Sequence, residues 1–80
     1  MPQQAQELVA FTVDWLTKKY GQPVNPDVEF VALGLDSLDL VRLINALAER
    51  VGVAELPVSL MFDHPSVSSL AEHLVTIQPG

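Results

Sequence analysis

Apolar residues recur at helical spacing near the start of the chain. Between residues 4 and 20 they follow one another three or four positions apart, in two rows: Leu8, Phe11 and Trp15, and Val9, Val13, Leu16 and Tyr20. Gly21 follows as a helix stop signal. We therefore predict a first helix from about Gln4 to Tyr20, with Trp15 as a core residue.

A second helix is predicted from Asp36 or Ser37 to Val51, closed by Gly52. On a wheel of about 100° per residue, one arc of apolar residues should face the core: Leu40, Leu43, Ile44, Leu47 and Val51. A polar set occupies the other side of the helix: Asp39, Arg42, Asn45, Glu49 and Arg50.

Two apolar residues of this helix, Leu38 and Val41, fall outside the buried arc and lie beside Ser37. Asn45 and Ala48 extend the same strip along the helix. The strip either forms a small contact surface for another protein or is covered by the preceding loop, since scattered exposed apolar residues are normal.

The long connection from Gly21 to Leu35 contains the turn formers Pro23, Asn25 and Pro26, which break a helix. It is nevertheless rich in apolar residues: Phe30, Val31, Leu33 and Leu35. We expect this loop to pack against the core.

Two further helices are predicted after Gly52. A short helix should follow Pro57, from Val58 to Phe62. The last begins near Ser66, whose oxygen can accept hydrogen bonds from first-turn amides, and carries an apolar stripe: Val67, Leu70, Ala71, Leu74 and Val75. Pro79 and Gly80 should form a frayed tail.

The absence of strand-like alternation predicts an all-α fold, a small bundle of three longer helices plus one short helix. Eighty residues, 49% of them apolar, suffice for one domain, which we place at residues 4–77. With no cysteine, the chain forms neither disulfides nor thiolate metal sites, so packing alone must hold the fold.

Ten acidic and four basic residues give a formal charge of −6, which disfavours binding to nucleic acid. The acidity either supports docking onto positive partner surfaces or serves only solubility. No apolar run approaches the roughly 20 residues that span a membrane. Met1-Pro2-Gln3-Gln4 carries no side-chain charge and is not followed directly by an apolar stretch, so we expect no leader peptide. We expect a cytoplasmic monomer.

Candidate chemistry centres on the run from Gly34 to Asp39, where the loop turns into the second helix and presents Ser37. Asp36 or Ser37 could simply cap the helix, while Asp39 suits its positive end. The same end would tolerate a phosphodiester on Ser37.

A catalytic serine would need an oriented base, usually histidine. His64 lies in an Asp-His-Pro turn and His73 on the polar face of the last helix, and neither belongs to a nucleophile motif. The two histidines offer no metal-ligand spacing either. We therefore expect a serine that is modified by another enzyme, in a chain with no catalytic residues and no metal.

Two segments together resemble acyl carrier proteins of the polyketide synthase type, over roughly residues 8–74. The first, Leu33-Gly34-Leu35-Asp36-Ser37-Leu38, is similar to the family's Asp-Ser-Leu attachment motif. The second, residues 60–67 (Leu-Met-Phe-Asp-His-Pro-Ser-Val) followed by Leu-Ala-Glu-His-Leu at 70–74, looks like the end of polyketide synthase carrier domains.

The resemblance implies a covalent 4'-phosphopantetheine arm from coenzyme A, attached to Ser37 next to Asp36 by a magnesium-dependent phosphopantetheinyl transferase. The arm's thiol would hold acyl groups as thioesters. Partners would be that transferase and the ketosynthase, acyltransferase and other enzymes of the synthase, which would read the second helix at these residues: Leu38, Val41, Arg42, Asn45 and Ala48.

Arg42 departs from the family's acidic second helix, so docking onto purely positive partner surfaces is in question. Two alternatives stay open at this point. One is a peptidyl carrier of nonribosomal peptide synthesis, and the other is an unmodified helical interaction module in which Ser37 is only a cap.

Overall fold

The computed structural model describes residues 4–78, and its fold is helical, as predicted. Its helices are α1 (Ala5–Tyr20), α2 (Ser37–Val51), α3 (Leu60–Asp63) and α4 (Val67–Ile77). A 3₁₀ turn, Phe30–Leu33, lies in the connection between α1 and α2. Three longer helices and one short helix are thus confirmed, whereas the predicted tail at Pro79 and Gly80 lies outside the described residues. Between residues 4 and 78, no helix is long and apolar enough to cross a lipid bilayer.

The short helix α3 begins two residues later and ends one residue later than predicted. The N–H groups of Leu60, Met61 and Phe62 each donate to the carbonyl three positions earlier, which is the pattern of tight turns. Bonds of the α-helical kind begin only with the N–H of Asp63, which donates to the carbonyl of Ser59 at 3.1 Å. The turn after Pro57 therefore precedes the helix instead of belonging to it.

The core lies between α1, α2 and α4. The five apolar residues that the wheel placed in one arc of α2 are all buried, as are four residues of the predicted α4 stripe: Val67, Leu70, Ala71 and Leu74. Leu8 and Leu16 contribute from α1, and Trp15 is half-buried at the edge of the same cluster. Thr12 is buried as well, and its hydroxyl donates to the carbonyl of Leu8 at 2.7 Å. This core anchors α2, the helix that carries Ser37.

Helices α1 and α2 run antiparallel, as two contacts between them show. Near the start of α2, Asp39 pairs with Lys19, which is in the last turn of α1. Near the end of α2, the Arg50 guanidinium lies 5.3 Å from the centre of the Phe11 ring, in the middle of α1. Asp39 and Arg50, which the wheel placed on the polar side of α2, therefore contact α1.

The long loop is fixed to the beginning of α4. The N–H of Phe30 donates to the carbonyl of Pro65 at 2.7 Å, and that of Ser68 donates to the carbonyl of Pro26 at 3.0 Å. The Ser68 hydroxyl also donates to Asp27 Oδ1 at 3.1 Å. Phe30 is buried, and Leu33 and Leu35 pack partly buried against the core, while Val31 is exposed. The predicted packing of the loop is therefore confirmed, and it delivers the chain to the start of α2.

Candidate functional site

Gly34 turns the loop toward α2. It ends the 3₁₀ turn with a φ of +78°, in the left-handed region that favours glycine. Two residues later, Asp36 has an extended backbone, with φ −86° and ψ 175°, and α2 begins at Ser37. The hydroxyl of Ser37 is thereby placed at the first position of a helix that is anchored in the core.

Asp36 caps α2. Its Oδ1 accepts a hydrogen bond from the N–H of Asp39 at 2.8 Å, which satisfies one of the free amides of the first turn. Ser37 is exposed, and across residues 4–78 its hydroxyl makes no hydrogen bond. The interpretation of Ser37 as only a cap is therefore wrong, because the neighbouring carboxylate already fills that role.

The electrostatics of this helix start involve the end of α1. Lys19 Nζ lies 2.8 Å from Asp39 Oδ1, and their side chains are 32% and 15% exposed. The hydrogen bond from Lys19 lowers the pKa of Asp39 below its usual value. Burial raises the pKa of Tyr20, and the charge of Asp39 raises it further. The Tyr20 hydroxyl is buried, and no hydrogen-bond partner for it is found in the part of the chain that the structure describes.

The exposed side of α2 beside Ser37 is not covered by the loop. Leu38 is 56% exposed and Val41 is 40% exposed, and Arg42 and Asn45 are exposed as well. We call these four residues the α2 strip. Its Arg42 and Asn45 end borders an open surface depression of about 440 Å³. Of the two alternatives for this strip, coverage by the loop is wrong.

The prediction that Ala48 is a contact residue of this surface is wrong, because Ala48 is only 3% exposed and does not extend the strip. On the wheel it lies about 40° from Ile44, at the border of the buried arc. Its single methyl group is short enough for neighbouring side chains to cover. The structure thus leaves four of the five predicted contact residues on the surface.

The two histidines form a pair that the sequence analysis missed. Their rings stack with centroids 4.2 Å apart and planes at 18°, and His64 Nδ1 lies 3.5 Å from the Ser69 hydroxyl. The contacts of both rings are thus made within the α3–α4 region and do not involve Ser37. Among residues 4–78 there is no cluster of three or more His, Asp or Glu side chains that could hold a metal ion.

The sequence analysis also missed Lys19, which, unlike the histidines, contacts the first turn of α2. It lies in the last turn of α1, and Asp39 lies in the first turn of α2. If α1 and α2 had been assumed to pack antiparallel, the positive charge of Lys19 would have been expected to lie close to the negative charge of Asp39. The hydrophobic pattern alone does not contain this information, because it does not orient the helices relative to one another.

A sequence profile for a phosphopantetheine attachment site matches residues 16–74, which include Ser37 and all of α2. The chain belongs to this family. The predicted cofactor is therefore confirmed, since members of the family carry a covalently attached 4'-phosphopantetheine. The resemblance to carrier proteins of the polyketide synthase type is confirmed as well.

Relatives and solved structures support the same assignment. The chain is 45% identical over 58 residues to a phenolphthiocerol/phthiocerol polyketide synthase of Mycobacterium tuberculosis, covering 72% of this chain. It is 40% identical over 74 residues to erythronolide synthase EryA3 of Saccharopolyspora erythraea, covering 88% of this chain. The matches span only 4% and 2% of the length of these two synthases.

The fold is similar to that of a solved carrier protein. A free-standing peptidyl carrier protein of Acinetobacter baumannii superposes with a TM-score of 0.80 at 26% identity, over 91% of this chain and 94% of the other. The small helical carrier fold predicted from the sequence is therefore confirmed.

Proposed function

We propose that this chain is a non-catalytic carrier of acyl intermediates in polyketide assembly, with the 4'-phosphopantetheine arm attached to Ser37. The observation that carries the proposal is the exposed Ser37 hydroxyl, which makes no hydrogen bond in residues 4–78, at the start of a helix capped by Asp36. The arm supplies a terminal thiol that holds an acyl group as a thioester. We also retain residues 4–77 as the carrier domain, and a cytoplasmic location and a monomeric state stay predictions.

Attachment requires Ser37 Oγ to act as a nucleophile toward coenzyme A. The oxygen forms a bond to the phosphorus that carries the pantetheine, and the pyrophosphate bond breaks. Adenosine 3',5'-bisphosphate leaves with the electron pair, while the hydroxyl proton passes to a base of the transferase. Free amides at the start of α2 favour the negative charge of the resulting phosphodiester. The surface beside Ser37 suits the arm, since Ser37 and Leu38 are both exposed.

The α2 strip is proposed as the surface that the transferase, ketosynthase and acyltransferase contact. Leu38 and Val41 supply apolar area next to Ser37, and Arg42 supplies a positive charge. The other three Lys and Arg side chains, which all lie within the described residues, are engaged, since Lys18 pairs with Asp14, Lys19 pairs with Asp39 and Arg50 lies over Phe11. Arg42 makes no ion pair within residues 4–78, so an acidic or polar group of the partner fits opposite it.

The absence of catalysis is supported by the surroundings of Ser37. A nucleophilic serine needs a base within hydrogen-bond reach. The hydroxyl of Ser37 has no such partner in the described chain, and both histidines make their contacts elsewhere.

Intact-mass measurement tests the attachment. The purified chain is incubated with coenzyme A, magnesium and a broad-specificity phosphopantetheinyl transferase, and we expect a mass gain of one phosphopantetheine. Ser37→Ala should abolish the gain. Ser59→Ala is the matched control, because Ser59 is also an exposed serine at the start of a helix with no side-chain cap bond, and it should load normally. Failure of the folded chain to load would refute the proposal.

The contact surface is tested by the kinetics of the same reaction. The double variant Leu38→Ala/Val41→Ala should raise the KM of the transferase for the carrier, because it removes exposed apolar area beside the reacting hydroxyl. Ile77→Ala is the control, since Ile77 is 41% exposed and belongs to α4, a different helix from the one that carries the strip. Equal KM values for both variants would show that the transferase does not contact the strip.

A second candidate is a peptidyl carrier of nonribosomal peptide synthesis. It is favoured by the superposition on a peptidyl carrier protein, although that protein is only 26% identical, against 40–45% for the two polyketide synthases. Intact-mass analysis of the chain isolated from its producing cells distinguishes the two, because an aminoacyl cargo and a polyketide cargo differ in mass.

A further inference from the structure

The first turn of α2 is tied to α1 by an ion pair between helices. Lys19 Nζ and Asp39 Oδ1 are 2.8 Å apart, and their side chains are 32% and 15% exposed. Lys18, the preceding residue, pairs with Asp14 at 3.0 Å, but this pair lies within α1 with side chains that are 78% and 62% exposed. Exposed pairs of the second kind contribute little to stability. Both adjacent lysines thus pair with an aspartate, but only the Lys19 pair joins two helices.

The Lys19–Asp39 ion pair is connected through Asp39 to the helix cap formed by Asp36, the residue before Ser37. Lys19 holds the side chain of Asp39, and the N–H of Asp39 donates to Asp36 Oδ1 at 2.8 Å. Asp36 is the residue immediately before Ser37. Helix ends fray when nothing holds them. Here a residue of α1 fixes the side chain of the amide donor, and that donor fixes the capping carboxylate beside the hydroxyl.

The charges around the first turn of α2 also indicate a role for Lys19. Asp36 and Asp39 place two carboxylates in the turn that receives the anionic coenzyme A. Lys19 neutralises one of them through direct contact. Lys18 and Arg50 are engaged with other residues of the chain, and Arg42 lies on the next turn of α2. Lys19 is thus the cation in direct contact with this turn.

We propose that Lys19 is a positioning residue for the attachment reaction at Ser37, acting through Asp39 and Asp36. This inference rests on the proposed function. Lys19 keeps the first turn of α2 in the geometry that presents the hydroxyl, and it offsets one of the two negative charges that an incoming coenzyme A meets. It touches neither the reacting oxygen nor the phosphate, so its effect passes through the two carboxylates.

The test compares Lys19→Met with Lys18→Met in the complete chain. Both substitutions remove one positive charge and keep a long apolar side chain, so long-range electrostatic effects are matched. Loading is measured with coenzyme A and a broad-specificity phosphopantetheinyl transferase, under conditions where circular dichroism shows every variant to be folded. We expect Lys19→Met to lower kcat/KM about tenfold, mainly through kcat, because misplacement of a reacting group slows the chemical step. Lys18→Met should stay within about twofold of the unsubstituted chain, as expected for an exposed pair.

Three further readouts separate positioning from a general loss of structure. Lys19→Arg should restore most of the rate, since it can still pair with Asp39. Lys19→Met should speed hydrogen exchange of the Asp39 amide while amides in the centre of α2 stay protected. Lys19→Met combined with Asp39→Asn should lose less than the sum of the two single effects, because the two residues act as one unit.

Each outcome decides a separate claim. If the unsubstituted chain does not load at all, the proposed function fails and this inference fails with it. If the unsubstituted chain loads and Lys19→Met loads equally fast, only the inference is overturned. It is also overturned if Lys18→Met and Lys19→Met slow loading to the same extent, since the effect would then be one of overall charge.

Discussion

The N–H of Phe30 donates a hydrogen bond to the carbonyl of Pro65 at 2.7 Å, which joins the middle of the long loop to the link before α4. The same two segments meet again one residue away on each side, at the bridge between Glu29 and Ser66. The loop that leads to Ser37 is therefore held at its centre by the link before α4, and the Phe30 side chain is buried.

Phe30→Ala should lower the free energy of unfolding by about 3–5 kcal/mol, the usual effect of removing a buried aromatic ring. Val31→Ala is the control, because Val31 belongs to the same 3₁₀ turn and is 68% exposed. It should change the free energy of unfolding by less than about 0.5 kcal/mol. Urea denaturation followed by circular dichroism measures both, and similar values for the two variants would contradict the packing of this loop.

The two sides of α2 should respond differently to truncation. Leu47 is buried, so Leu47→Ala should cost roughly 2–5 kcal/mol in the free energy of unfolding. Leu38 is more than half exposed, so Leu38→Ala should stay within about 0.5 kcal/mol. Both values come from chemical denaturation. A large loss of stability in Leu38→Ala would mean that the α2 strip is packed in solution and is unavailable to a partner.

The ion pair at the start of α2 predicts a dependence of stability on pH. Lys19 lowers the pKa of Asp39 in the folded chain, so the pair stabilises the fold above the ordinary pKa of an aspartate. That contribution is lost as the pH falls through the lowered pKa of Asp39, where the carboxylate takes up a proton. Lys19→Met should raise the pKa of Asp39 in the folded chain and reduce the loss of stability in this acid range.

Carboxyl-carbon NMR titration of Asp39 measures this shift directly. Lys18→Met serves as the control and should leave the titration of Asp39 unchanged, because Lys18 pairs with Asp14. An unaltered Asp39 titration in Lys19→Met would show that the pair does not persist in solution.

Tyr20→Phe should leave the stability unchanged or raise it by up to about 1 kcal/mol. The Tyr20 hydroxyl is buried, and residues 4–78 offer it no hydrogen-bond partner, so its removal breaks no bond and relieves a desolvation cost. Tyr20→Ala is the contrasting variant, and it should be destabilising because the ring packs against the core. A clear loss of stability in Tyr20→Phe would indicate that the hydroxyl has a partner in solution, such as a bound water.

The hydrophobic pattern predicted the helices well because burial follows periodicity. Leu40, Leu43 and Leu47 repeat every three or four residues, and such a row can be buried on one side of a helix only. The position of α3 was predicted less accurately. Only four residues form it, and the tight turns after Pro57 compete with the helix for the same amides.

Periodicity and cap residues alone predicted an α-helical bundle, the five-residue buried arc of α2 and the position of Ser37 at a helix start. These properties depend on neighbours within one or two helical turns, and a single sequence contains those neighbours. Four features became visible only in the folded chain: Asp36 is the cap, Ala48 is buried, Lys19 pairs with Asp39, and His64 stacks on His73. The Lys19–Asp39 pair and the His64–His73 stack join residues of different segments. The Asp36 cap depends on the backbone conformation before α2, and the burial of Ala48 depends on the side chains that pack around it. Contacts between segments form only where the packing of the helices brings the two side chains together, and the periodicity of one helix does not specify how it packs against another.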